Sequence, residues 1–203
     1  MAESISVNQN PVAPTPSRTK PSRPIFASIG MALAIVVAAW FLAGRQGLDS
    51  LGQGGVNQKL LPRAGEVAPD ITVTNILGEE VALSSLRGKT VWLNFWGSWC
   101  PPCRAEMPEI QESYTILAPE GVVLLAISLD EPAYEAALFA ARNDVTFPIF
   151  SDPDRSATRD AYPIYNFPTH IFIDADGIVR HVVLSEMSVE EAVRYAHETM
   201  NGA

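Results

Sequence analysis

Two cysteines stand three apart in the stretch Trp99-Cys100-Pro101-Pro102-Cys103, and they are the only two in 203 residues. A pair at this spacing can exchange disulfides, supply half of a metal site, or close a small structural loop. Exchange needs a thiolate at one sulfur and a second thiol close enough to resolve the mixed disulfide. A helical pattern begins at Pro101, so Cys100 falls at a helix N-terminus, where backbone N–H groups and the positive dipole end favour a thiolate. Neither proline carries an N–H, so Cys100 must look chiefly to the amide of Cys103 and those beyond it. A thiolate with few donors suits a reductant better than a strong oxidant. Zinc would need two more ligands, and His170, His181 and His197 show no matching pair spacing. A structural disulfide at a helix start closes too small a loop to stabilise much.

The elements that must position this pair can be read around it. Thr90 to Trp96, TVWLNFW, is a nearly continuous apolar run, as in a central strand covered on both faces. A helix over 101–117 follows, with Met107, Ile110, Tyr114 and Leu117 along one side. A second buried strand is expected over 122–127, a helix over 132–142, a short strand over 147–150 and a short helix over 155–162. Ahead of them, 71–73 and 81–83 form a hairpin; behind them, 171–173 and 178–184 flank a tight turn at Asp174-Ala-Asp-Gly177. A final helix over 188–200 opens with the capping box Ser188-Val-Glu-Glu191. The order predicts a mixed α/β sheet with helices on its faces.

The rest of the chain is segmented. Residues 1–24 hold five prolines and few large apolar side chains, a composition expected of a disordered tail. Residues 25–43, IFASIGMALAIVVAAWFLA, carry no charge and would span about 28 Å as a helix, close to a bilayer core. They read as a single transmembrane helix, with a cleaved signal peptide as the alternative. Arg18, Lys20 and Arg23 precede the span, which places the N-terminus in the cytoplasm and the rest outside. Residues 44–64 read as a flexible linker, and 65–203 as the folded domain. That domain holds eight Lys and Arg against twenty-one Asp and Glu, a net of −13, within a chain of −9. Such acidity argues against a nucleic-acid partner.

The stretch VWLNFWGSWCPPCRAEMPEI, with FPTHIFIDADG far downstream, resembles the membrane-anchored thioredoxin-like proteins of the TlpA/ResA type in the AhpC/TSA–redoxin superfamily. The resemblance covers roughly 65–200. It implies a thioredoxin fold with an added N-terminal β-hairpin, at 71–83, and a central strand–helix insertion, at about 145–162. It implies an extracytoplasmic thiol–disulfide oxidoreductase that reduces disulfides in exported proteins, apocytochrome c among them, with Cys100 and Cys103 as its redox couple and no bound cofactor. A transmembrane electron donor of the thiol-reductase type would recharge it.

By the same resemblance Pro168 matches a cis-proline opposite the cysteines, and the backbone of Phe167 would pair with a substrate peptide. Asn166 stands where the family usually has glycine; asparagine best tolerates a positive φ. Thioredoxins proper place an aspartate six residues before the first cysteine, where Asn94 stands here. Glu106 instead matches the family's glutamate three residues after the second cysteine and would exchange the Cys103 proton. Trp99 would wall the thiolate and offer an apolar surface to the substrate, and His170 would sit at the mouth of the site as a polar contact. A peroxidase of related fold is a second reading, but the stretch before Cys100 lacks the Pro-x-x-x-Thr-x-x-Cys context. A copper-delivery protein is a third, although such proteins use Cys-x-x-x-Cys.

Overall fold

The computed structural model describes residues 61–202; the expected tail, the apolar span and most of the linker lie outside the described residues. Among the described residues no helix is long and apolar enough to cross a membrane. The folded body already includes Leu61, which is buried, and Gly65, whose N–H donates to the Val179 carbonyl at 2.8 Å.

Among the described residues seven strands form one sheet. In chain order they are β1 (Thr72–Asn75), β2 (Glu80–Ala82), β3 (Val91–Trp96), β4 (Val123–Leu129), β5 (Ile149–Asp152), β6 (Thr169–Ile173) and β7 (Val179–Val183). Across the sheet they run β2-β1-β5-β4-β3-β6-β7. The β3/β4 and β4/β5 pairs are parallel, and the remaining pairs are antiparallel. All six residues of β3 are buried, as the unbroken apolar run predicts. Its side chains alternate between two cores: Trp92 and Trp96 on one face, Val91, Leu93 and Phe95 on the other.

Three helices, α1 (Pro101–Leu117), α2 (Ala133–Arg142) and α3 (Val189–Met200), pack into the core that holds Trp92 and Trp96. Both parallel crossovers step the same way along the sheet, so right-handed connections carry α1 and α2 to one face. All three α-helices therefore lie on one face of the sheet. The expected helices at 101–117, 132–142 and 188–200 all form, the last with its full capping box.

The expected helix at 155–162 does not form. The chain there is a run of turns that covers the second face, burying Tyr162 and Ile164. Its local chemistry explains the difference. Arg155 takes a left-handed φ of 59°, and the Asp152 carboxylate accepts the backbone N–H groups of Ala157, at 3.3 Å, and Thr158, at 2.9 Å. These bonds compete with a helical ladder, and Pro163 prevents its continuation. The central insertion thus keeps its strand, β5, and loses its helix.

Candidate functional site

The sheet register brings the site together. Phe95 of β3 pairs with Thr169 of β6, so the C-terminal end of β3 lies beside the N-terminal end of β6. The first end leads to the cysteines and the second directly follows Pro168. Cys100 is the N-cap of α1, and its Sγ accepts the N–H of Cys103 at 3.3 Å, the donor left once the two prolines are discounted. Cys100 and Cys103 are joined as a disulfide with Cα atoms 5.3 Å apart. Cys103 is fully buried and Cys100 only 3% exposed.

The turn ahead of the disulfide is tied to the end of β4. Trp99 donates its indole N–H to the Leu129 carbonyl at 3.0 Å, yet 48% of the residue stays exposed. The indole lies across Gly97, where a Cβ would fall 2.4 Å from Nε1, so this position needs glycine. The buried Glu131 accepts the Ser98 backbone N–H at 2.8 Å, and also the hydroxyls of Ser98 and Ser128. Sequence reasoning missed Glu131. Its position just past a buried strand was the available signal.

On the opposite side Pro168 is buried and its bond to Phe167 is cis. The half-buried Phe167 ring meets Trp99 edge-on, with centroids 4.9 Å apart. Arg155 also lies over that ring, 5.5 Å from its centroid, and forks onto the Asp130 carboxylate. Asn166 does not adopt a positive φ, so the tolerance of asparagine for that region is not used.

Glu106 lies one turn beyond Cys103 on α1 and is 3% exposed, not a solvated surface glutamate. Its Oε1 accepts the Met187 backbone N–H at 2.7 Å, and its Oε2 is buried without a partner. His170 Nε2 stands 3.0 Å from Oε1. The expectation that His170 sits at the mouth of the site is corrected: β6 is buried along its whole length, and His170 is fully enclosed. Asn94, its cross-strand partner, is also buried, with both amide atoms unpartnered. Among the described residues no group of three His, Cys, Asp or Glu side chains is placed to hold a metal ion.

A mixed sheet whose central strand hands over to a Cys-x-x-Cys helix, with a cis-proline facing it, defines a thioredoxin-like protein. Residues 64–182 match the AhpC/TSA family, and the chain belongs to that family. It is 39% identical over 138 residues to the thiol-disulfide oxidoreductase ResA of Geobacillus kaustophilus, covering 68% of this chain and 79% of that one. The ResA of Bacillus cereus is 34% identical over 160 residues, 79% of this chain and 91% of that one. Among solved structures it is similar to StoA from Bacillus subtilis, with TM-score 0.55 and 27% identity over 64% of this chain and 97% of that one. A thiol:disulfide interchange protein from Chlorobium tepidum gives TM-score 0.60 and 25% identity over 68% and 97%. With its cysteine pair in place, the chain is a thiol–disulfide oxidoreductase.

Proposed function

We propose that this oxidoreductase works as a reductant outside the cytoplasmic membrane, held there by residues 25–43, on disulfides of exported proteins such as apocytochrome c. The observation that carries the direction is the shortage of N–H donors around Cys100 Sγ. Pro101 and Pro102 withhold two N–H groups, and among the described residues Cys103 N–H alone reaches Cys100 Sγ. A thiolate with few donors holds its electron pair less tightly and gives it up more readily to a disulfide.

In the forward step Cys100 thiolate attacks one sulfur of the client disulfide. The client S–S bond breaks, a mixed disulfide forms and one client thiolate leaves. Cys103 then passes its proton to Glu106 and attacks Cys100 Sγ, releasing the second client thiolate, which takes up a proton. The client gains two electrons, and the Cys100–Cys103 disulfide is formed. A membrane dithiol donor restores the pair, and no bound cofactor takes part.

The surface around the disulfide suits a polypeptide client. Trp99 and Phe167 present apolar area beside Cys100. An open groove of about 880 Å³, lined among others by Ser98, Pro101, Arg104, Tyr134, Leu138 and Arg142, begins at the same turn. The test is capture: a Cys103→Ala variant cannot resolve the mixed disulfide, so it should hold an oxidised haem-site peptide, Cys-x-x-Cys-His, covalently at Cys100. Failure to form that adduct, or rapid consumption of hydrogen peroxide by the wild-type chain, would overturn the reading.

A further inference from the structure

Trp92, His170 and Glu106 form a buried series that the proposed chemistry leaves partly unused. The Trp92 indole N–H can only donate, and it lies 3.3 Å from His170 Nδ1. Nδ1 must therefore present its lone pair, which puts the hydrogen of the neutral imidazole on Nε2. An imidazolium would instead turn an N–H towards the N–H of Trp92. The Nε2 atom stands 3.0 Å from Glu106 Oε1, as a close polar contact and not an aligned hydrogen bond. Oε1 already accepts Met187 N–H, whereas Oε2 has no partner. One carboxylate oxygen thus accepts Met187 N–H and lies against Nε2, and the other is left open in a buried site.

We infer that Trp92 and His170 act as a positioning pair, fixing the turn of the Glu106 carboxylate so that Oε2 is the atom that receives the Cys103 proton. This rests on the proton exchange between Cys103 and Glu106 proposed above. The Nε2–H facing Oε1 sets which way the carboxylate is turned, and the tryptophan fixes the tautomer that presents this hydrogen. Among the described residues the other elements around His170 bring it no charge. Cross-strand neighbours are Asn94 on β3 and Val183 on β7, and α3 turns Ala192 and Ala196 to this core. From α1 come Glu106 and Cys103 themselves, with Met107. His181 is engaged elsewhere, with Glu198 at 3.3 Å and Tyr195 at 4.8 Å between ring centroids.

The experiment compares His170→Ala and His170→Gln in the full chain, each with and without Glu106→Gln. The reading is the pH profile for reduction of a disulfide-bonded peptide. Without the pair Oε2 is no longer held ready for the Cys103 proton, so H170A should displace the rising limb of the profile, with a loss of about tenfold in rate at its midpoint. H170Q, whose amide can both accept from Trp92 and donate to Glu106, should restore it. In the E106Q background H170A should move the profile no further. A purely structural histidine would lower the rate evenly at every pH, and that result, or an equal displacement in E106Q, would overturn the role of His170. Nitrogen-15 shifts of the wild-type chain at pH 7 should place the proton on Nε2, and a proton on Nδ1 would overturn the tautomer argument. A wild-type chain that reduces no disulfide at any pH would overturn the functional reading, and this role with it. A working wild type with an unmoved H170A profile would overturn the role alone.

Discussion

One carboxylate holds both polar groups of the residue two places before the reactive cysteine: Glu131 accepts the backbone N–H and the hydroxyl of Ser98. It sits just past β4, whose end also supplies the Leu129 carbonyl to Trp99. The turn that delivers Cys100 is therefore fastened at the end of a neighbouring strand by Leu129 and Glu131, both far from it in sequence. A buried carboxylate is costly unless its oxygens are satisfied, and here three donors satisfy them.

Glu131→Gln should for that reason be more damaging than its size suggests. One oxygen becomes an NH₂ group facing donors, and a buried bond to a charged acceptor is lost. Stability should fall by about 1–3 kcal/mol, read as a lower urea midpoint at unchanged slope, with slower disulfide exchange. An unchanged midpoint would mean that the turn is held by something else.

The Trp99 indole needs Gly97 beneath it, so Gly97→Ala should displace the ring without touching a sulfur. The bond to Leu129 would break and the edge contact with Phe167 would open. Exchange with a protein client should slow about fivefold, the equivalent of about 1 kcal/mol of lost contact, while a small disulfide such as hydroxyethyl disulfide should react nearly as before. Equal losses on both substrates would argue that the ring serves only to hold the turn.

His181 offers a pH dependence away from the site. Burial holds its imidazole below the ordinary 6.5, and this outweighs the opposing pull of Glu198. That carboxylate already pairs with Arg194 at 3.1 Å, which weakens its call on the histidine. A base whose folded value is depressed adds stability above its unfolded value and loses it as pH falls through the folded one. The wild-type chain should therefore lose stability between pH 7.5 and 5. His181→Phe, which keeps a ring between Phe172 and Tyr195, should lose less. Urea unfolding at the two pH values checks this, and parallel losses would contradict it.

Much of this architecture was legible in the residues. Strand β3 announced itself as an apolar run, α1 by its prolines and spaced apolar side chains, α3 by its capping box. The cysteine pair and Pro168 were visible because a short motif carries them. The turns at 155–162 were not, because an apolar and charged pattern of helical length cannot reveal that the Asp152 carboxylate will take two of its amides. Nor were Glu131 and the enclosed position of His170. Each meets a partner more than thirty residues away, Ser98 in one case and Glu106 in the other, and such pairings arise only once the sheet register is set.

The most direct test of the account is the reduction potential of the Cys100–Cys103 couple in the full chain. Withheld amides at Pro101 and Pro102 predict a value near or below about −250 mV, in the range of thioredoxin-like reductants. A value near −120 mV, that of a strong disulfide donor, would contradict the account and reverse the direction of electron flow.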